Sequence, residues 1–387
     1  MSAFIIFWIS LLAIAYSYLI YPVWLRMRAG KKSLAPPAEP DEWPSVEVIF
    51  AAYNEEKVLE DKLRSVLASD YPKDKLRIHV GSDASTDKTD DILKSFAEKD
   101  DRLRWQRFGG RSGKANIINA LAKDSKADIL IPTDANIIFA PSSVKHLVRW
   151  FVRDRTSIVG ASIVYDSENL KGIAPQEDFY LRRENNIKER EGLLYGTAMG
   201  IEGGCYAIRR EAFRPIPKNY FMEDFFQSMQ VMQRGEDVLV DTKAIVYEDV
   251  STEIREEYKR KVRISVGNFQ NLKHFFPVLY KQTFPLGFVF FSHKVLRWIT
   301  PFLLLAMLFA ALQLGFSGRI LYQWLVVVAI LWIGLTVAQV KRIVNFGGIP
   351  SFAAHFLYMN LALLDGFIKF SKGVKSNVWQ PTKRKQA

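Results

Sequence analysis

Acidic side chains that close apolar runs carry the clearest chemistry in this sequence. Ile129 to Asn136 is an apolar run ending in Thr133-Asp134-Ala135-Asn136. That pattern fits a buried parallel strand whose carboxyl end opens on a crevice, which is where open α/β sheets bind ligands. An aspartate so placed can hold a hard divalent ion, which takes few protein carboxylates and fills its remaining positions with water and substrate phosphate. The same residue type also closes turns and caps helices, here the helix that begins near Pro141-Ser142-Ser143. A second acidic turn, Val80 to Thr89, supplies Asp83 on a strand end, in a position to meet a ligand, and Asp87, which suits a helix N-cap.

Two further turns complete the set. Val46 to Phe50 runs into Ala51-Ala52-Tyr53-Asn54-Glu55-Glu56, small residues first and a polar turn second, where backbone can approach a planar base. Gly110-Arg111-Ser112-Gly113-Lys114 opens a helix, and a glycine-flanked lysine at a helix N-terminus suits an anionic group. Its glycine spacing is not that of a P-loop.

Such turns need a scaffold, and the surrounding sequence supplies one. Short β-branched runs alternate with helical stretches: Val46 to Phe50 then Glu55 to Ala68, Arg77 to Val80 then Thr89 to Glu98, Leu103 to Phe108 then Lys114 to Ala122, Ile129 to Ile131 then Ser143 to Phe151, and finally Ile158 to Val164. That order predicts an α/β domain with a mostly parallel, doubly wound sheet. A composition of 49% hydrophobic and 24% charged residues excludes a disordered chain. The single cysteine, Cys205, excludes an intrachain disulfide and agrees with a reducing cytosol.

Apolar segments flank this domain. Phe4 to Val23 is long enough to span a bilayer, and Met1-Ser2 lacks the basic start of a secretory signal. Arg26, Arg28, Lys31 and Lys32 follow it without an acid among them, which by the positive-inside rule holds the next segment in the cytoplasm. Ser33 to Pro44 reads as a Pro-rich linker. Ile299 to Phe316 and Ile320 to Val340 are each long enough to cross, joined by Ser317-Gly318-Arg319. Ile349 to Phe370 has basic residues on both sides, Lys341 and Arg342 before it and Lys369, Lys372, Lys375, Lys383, Arg384 and Lys385 after it. It therefore fits an interfacial or re-entrant segment as well as a span, with Pro285 to Ser292 as an alternative crossing. His293 to Trp298 reads as a membrane-entry anchor. The expected divisions are an N-terminal transmembrane helix at 1–25, a basic linker at 26–44, the α/β domain at 45–252, an interfacial segment at 253–298, a transmembrane region at 299–370 and a basic tail at 371–387. The net charge of +12 follows these membrane edges rather than one soluble face, which favours anionic headgroups over nucleic acid as its partner.

Taken together, the motifs resemble the family 2 glycosyltransferases, the group that includes cellulose, chitin and hyaluronan synthases. Ala51-Ala52-Tyr53-Asn54-Glu55 looks like the first nucleotide-binding turn, Ser85-Thr86-Asp87-Lys88-Thr89 follows the expected acidic turn, and Gly113-Lys114-Ala115-Asn116 begins the next motif. Asp134-Ala135-Asn136 falls where that family has its metal-binding Asp-x-Asp. Gly203 to Arg210 resembles the acceptor-side segment, and Met222-Glu223-Asp224 the Glu-Asp pair.

The resemblance implies a GT-A fold, a cytosolic catalytic domain on a multi-pass inner or plasma membrane protein, and an inverting displacement. It implies a nucleotide-sugar donor, a UDP-sugar in the first instance, with Mg²⁺ or Mn²⁺ held by Asp134 and Asn136. Ala52, Tyr53, Glu55, Asp83, Lys114, Asp134, Arg260 and Arg263 fall on the donor side, Gly203, Gly204 and Glu223 on the acceptor side, and Asp224 in the position of the catalytic base. Helix capping is the alternative use of Asp224. The segment Arg255 to Asn271 is likewise open to two readings, an amphipathic surface helix with its basic residues on lipid phosphates, or a carrier of Arg260 and Arg263 to the donor pyrophosphate.

Two departures bear on function. Asn136 replaces the second metal aspartate, so the ion loses a charged ligand. Arg260 and Ile264 stand for the glutamine and tryptophan of the Gln-x-x-Arg-Trp motif of processive synthases. The expected acceptor is a polysaccharide or glycolipid of the cell envelope. Single-sugar transfer to a lipid such as a polyprenyl phosphate is the alternative, and a non-catalytic subunit of an export assembly is a third reading that Asn136 and Ile264 motivate.

Overall fold

The computed structural model describes residues 1–165, 174–249, 254–341, 343–344 and 347–374. Helices α1 (Ser2–Ala15) and α2 (Tyr21–Ala29) join through a wider turn at Tyr16–Ile20 into one apolar rod. The Pro-rich linker has no regular structure and is tied to the domain by Tyr71, whose hydroxyl donates to the Pro44 carbonyl at 2.6 Å. Then β1 (Val46–Ala52), α3 (Leu59–Leu67), β2 (Leu76–Ser82), α4 (Thr89–Ala97), β3 (Leu103–Arg107), α5 (Lys114–Asp124) and β4 (Ile129–Pro132) alternate as expected. They are followed by β5 (Ile138–Phe139), α6 (Ser143–Val148), β6 (Thr156–Tyr165), α7 (Ala174–Tyr195), β7 (Tyr206–Arg209), α8 (Glu223–Gln233) and β8 (Asp237–Glu248).

The strands form one sheet in the order β3-β2-β1-β4-β7-β6-β8-β5. β1 pairs in parallel with β2 from Val46↔Leu76 to Ala52↔Ser82, and with β4 from Val46↔Ile129 to Ile49↔Pro132, so their carboxyl ends share one edge. Every residue of β1 is buried, as its near-continuous apolar run requires of a strand covered on both faces. One of those faces is covered by α3, which turns Leu59, Lys62, Leu63 and Val66 inward at helical spacing. The other is covered by α5. Gly81 lets α5 approach β2 closely, because a Cβ there would lie 2.3 Å from the Ile117 methyl. Beyond β4 the sheet departs from a purely parallel order: β7 runs antiparallel to both β4 and β6. This insertion sets the segment before β7 beside the end of β4, where Cys205 bridges Thr133.

After β8 the chain forms α9 (Ile254–Phe275), α10 (Val278–Lys281), a bent stretch ending in α11 (Leu296–Trp298), α12 (Thr300–Phe316), α13 (Ile320–Val340) and α14 (Gly348–Ser371). By length and composition, Ser2–Ala29, Ile320–Val340 and Gly348–Ser371 are apolar enough to cross a membrane. Thr283–Trp298 with Thr300–Phe316, bent by 61°, is a further candidate if counted as one span. α1 meets the C-terminal hairpin where Phe7 packs edge-on against Tyr322, 5.2 Å between centroids, over Ala310 and Ala311. α14 runs alongside α9, with Tyr358 at 4.8 Å from Tyr258, Phe367 at 4.9 Å from Phe269, and the Ser265 hydroxyl donating to the Leu363 carbonyl at 2.7 Å. Arg342, Lys375, Lys383, Arg384 and Lys385, invoked above for topology, lie outside the described residues.

Two expectations for this region meet the structure differently. The helix expected over Arg255 to Asn271 forms, and two of its basic residues turn to acids rather than outward: Lys261 Nζ lies 3.1 Å from Glu177 Oε2, and Arg260 Nη1 lies 3.5 Å from buried Glu257, while Arg255, Lys259 and Arg263 are exposed. His293 to Trp298, by contrast, is not a surface anchor. His293 is fully buried with Nε2 3.0 Å from Glu184 Oε2, Lys294 Nζ lies 2.9 Å from the same oxygen, and Arg297 pairs with the other. An unpaired charge at such depth costs several kcal/mol, so Lys294 and Arg297 gather on Glu184 instead of facing lipid.

Candidate active site

The shared edge of β1 and β4 opens into a cleft of about 680 Å³, closed on its far side by the start of α8, the end of β8 and the inner face of α9. Asp134 follows β4 directly. Its amide donates to the Gly204 carbonyl at 3.1 Å, and the Thr133 hydroxyl donates to the same carbonyl at 2.7 Å, which ties the acidic turn to the Gly203-Gly204 segment. Lys114, the first residue of α5, reaches between two carboxylates, with Nζ 2.6 Å from Asp134 Oδ1 and 2.5 Å from Glu223 Oε1. Burial opposes the Lys114 charge, but Asp134 and Glu223 outweigh it and hold the ammonium protonated well above its ordinary range.

Met222 takes a left-handed conformation, φ 58°, and turns α8 so that Glu223 and Asp224 open the helix facing the cleft. Asp224 is inside the helix rather than its N-cap, which is Met222, so the capping reading does not describe it. Gly203 is the floor beneath its carboxylate: a Cβ there would stand 2.7 Å from Asp224 Oδ2. Asp224 is only 6% exposed, and burial, then the neighbouring Glu223, push its carboxyl up to about 7. Lys114 acts in the opposite direction. A carboxylate with that environment in a cleft is suited to take a proton near neutral pH.

The structure sorts the remaining expected residues. Glu55, Asn136, Gly204, Arg260 and Arg263 line the cleft with those already named. Asp83 does not: fully buried, it accepts from Arg111 Nε at 3.1 Å and from the Ser112 and Gly113 amides at 2.5 and 3.2 Å, so its carboxylate is spent on holding the loop that presents Lys114. Ala52 is fully buried with its carbonyl bonded to the Asp83 amide at 2.8 Å. Tyr53 packs its ring 3.2 Å from the Arg111 guanidinium. These three support the site from behind.

Glu202, Glu248 and Glu257 also line the cleft and were not singled out from the sequence. Glu202 is held by buried Lys188 of α7. Its place immediately before Gly203-Gly204, and that of Glu248 at the carboxyl end of β8, were the available signals. Asn136 Nδ2 donates to Glu248 Oε1 at 3.4 Å. Asp134, Asn136 and Glu248 thus offer hard oxygen donors to one cleft, as Mg²⁺ or Mn²⁺ prefers. Among the described residues no group of three or more His, Cys, Asp and Glu side chains forms a cation cage by itself. The oxygen donors present fit a divalent ion, which takes few protein carboxylates.

Comparison with known proteins bears on the same segments. Residues 47–216 match the model of glycosyl transferase family 2, and residues 133–340 that of glycosyl transferase family group 2. The chain is 25% identical over 273 residues to the probable glycosyltransferase YdaM of Bacillus subtilis, a match covering 65% of this chain and 63% of that protein, less than two thirds of its length. It is 25% identical over 301 residues to poly-beta-1,6-N-acetyl-D-glucosamine synthase of Staphylococcus aureus, covering 76% of this chain and 70% of that one. The solved mannosyltransferase PcManGT from Pyrobaculum calidifontis, in complex with GDP-Man and Mn²⁺, superposes with a TM-score of 0.69 over 95% of this chain and 99% of its own, at 20% identity. That likeness is one of fold, and the fold is GT-A-like. With one family model matched across more than half of its length, the chain belongs to the family 2 glycosyltransferases and is an enzyme of glycosyl transfer.

Proposed function

We propose that this enzyme is membrane-embedded and moves a sugar from a nucleotide-sugar donor, by a single inverting displacement, to a glycan or lipid acceptor at the membrane. The observation that carries this reading is the meeting of Asp134, Lys114, Glu223 and Asp224 in one cleft, with Arg260 and Arg263 of α9 on its wall. Asp224 takes the proton of the acceptor hydroxyl as its oxygen bonds to the anomeric carbon, and the nucleoside diphosphate leaves from the opposite side. Arg260 and Arg263 face the departing pyrophosphate, where fixed guanidinium groups stabilise developing charge. Asp134 and Asn136, with Glu248 beside them, would hold a divalent ion at the cleft. When bound, the ion neutralises leaving-group charge as a Lewis acid. Gly203 and Gly204 leave room for the acceptor beside Asp224, and Glu223 stays paired with Lys114.

The non-catalytic subunit reading is set aside, since family membership and the buried carboxyl of Asp224 facing the cleft both point to turnover. UDP-sugar is the first donor to test, with GDP-sugar second. Ile264, on the cleft wall at the place of the processive tryptophan, supports the second acceptor reading, one sugar added to a lipid. A donor screen in membranes decides between them: the single-addition reading expects lipid-extractable product, and the polysaccharide reading a polymer that stays behind.

The orientation carries its own expectation. With Arg26, Arg28, Lys31 and Lys32 after the first span, residues 41–284 sit in the cytoplasm. Protease added to intact cells should leave this region whole and cut it only after lysis. Cleavage at its Lys or Arg sites in intact cells would reverse the topology.

A further inference from the structure

Lys62 has no role in the chemistry described so far, and its surroundings are hard to explain as packing alone. It lies on the inward face of α3 beside Leu59, Leu63 and Val66, with no solvent exposure. An apolar side chain would fill such a position without the cost of desolvating an ammonium. The Lys62 head group instead donates to Thr133 Oγ1 at 3.0 Å and to the Ile137 carbonyl at 2.7 Å. The rings of Phe139 and Phe50 flank it at 4.3 and 5.6 Å from their centroids.

These two acceptors bracket one short turn. Thr133 precedes Asp134, Ile137 follows Asn136, and the Ile137 amide closes the turn on the Asp134 carbonyl at 3.3 Å. Thr133 in turn donates to Gly204, next to the glycine beneath Asp224. One buried ammonium therefore fixes both ends of the turn that carries the donor-side ligands, and through Thr133 it fixes the distance from that turn to the acceptor side. Burial pulls the Lys62 ammonium down to about 7, with Cys205 and Asp134 opposing, so the group is held there against its own solvation preference.

We propose that Lys62 is a positioning residue for the donor site: it fixes the turn from Thr133 to Ile137 so that Asp134 and Asn136 meet the donor diphosphate and its divalent ion. This rests on the donor-site reading given above. Groups behind metal ligands govern ligand direction, and their loss typically lowers metal affinity roughly 10- to 100-fold.

The test is calorimetric titration of the purified full-length protein with UDP and with GDP, each with and without Mn²⁺. For the wild type, Mn²⁺ should tighten binding of one of them. In Lys62→Met, nearly equal in length but unable to donate, cooperative unfolding and metal-free affinity should persist while the Mn²⁺-dependent gain falls roughly 10- to 100-fold. A Lys62→Met protein with the full wild-type gain overturns the proposal and leaves the donor site standing. A wild type without any metal-dependent gain overturns the donor-site reading, and the role of Lys62 with it. Should Lys62→Met not fold, Thr133→Val and Thr133→Ser replace it. Serine keeps the hydroxyl and should retain the gain, whereas valine should lose it. Equal behaviour of the two overturns the proposal.

Discussion

Asp224→Asn should leave the protein folded and able to bind donor while lowering sugar transfer roughly 10² to 10⁴-fold, the usual contribution of a positioned general base. The two side chains have the same shape, so the Gly203 floor accepts either, but an amide cannot take the acceptor proton. The pH dependence sharpens the expectation. Burial and Glu223 raise the Asp224 carboxyl from its ordinary 3.8 to about 7, so the base is half protonated at neutral pH and kcat/KM should climb as pH rises through about 7, then level off. Asparagine should abolish that limb. Stability runs the other way. A carboxyl whose folded pKa is raised favours the folded state fully below its unfolded value and loses that contribution as pH rises through the folded value. Wild type should therefore lose stability between about pH 4 and 7, and Asp224→Asn should melt higher than wild type above pH 7. A folded variant that still transfers sugar at the wild-type rate removes Asp224 from the mechanism.

Lys114→Met should have the next largest effect. It removes an ammonium placed within 2.6 Å of both Asp134 and Glu223. Glu223 and Asp134 then lose this shared partner, and losing one partner of a buried pair typically costs about 3 kcal/mol or more, less here because Asp134 is over a third exposed. Lys114 also lowers the Asp224 carboxyl, so its loss should move the rising limb of the pH profile to higher pH. Transfer at pH 7 is expected to fall about fivefold for a limb moved by one pKa unit, and to recover in part near pH 9. A pH profile for Lys114→Met that overlays the wild type would show that Lys114 does not govern the base.

Much of this was legible in the sequence because the parallel half of the sheet is written in local signals. Apolar runs over Val46 to Phe50 and Ile129 to Ile131, each ending in a polar turn, predict strands that the structure extends by one or two residues. Periodic stretches give α3, α4 and α5 for the same reason. Asp134, Lys114, Glu223 and Asp224 could be nominated because each lies on a motif of its own, and the structure brings those motifs to one cleft. What stayed hidden depends on partners far apart in the chain. Asp83 looked as exposed to ligand as Asp134, and only the fold turns it onto Ser112 and Gly113. His293 and Arg297 looked like membrane anchors because nothing nearby in sequence reveals Glu184, more than a hundred residues earlier, as their counter-ion. Lys62 resembles an ordinary surface lysine of an amphipathic helix until Thr133 and Ile137 are seen above it. Each of these is a charge whose meaning is set by burial, and burial is a property of the assembled fold.

The account stands or falls on catalysis at this cleft by a nucleotide sugar. The most direct measurement is release of nucleoside diphosphate from a panel of nucleotide sugars by the purified full-length protein, with Mn²⁺, with Mg²⁺ and with a chelator, for wild type and Asp224→Asn side by side. The expected result is release from at least one donor that needs the divalent ion, rises with pH through about 7 and drops roughly 10²-fold or more in the variant. Release that is indifferent to both the ion and Asp224, or no release from any donor in the presence of membranes, would contradict it.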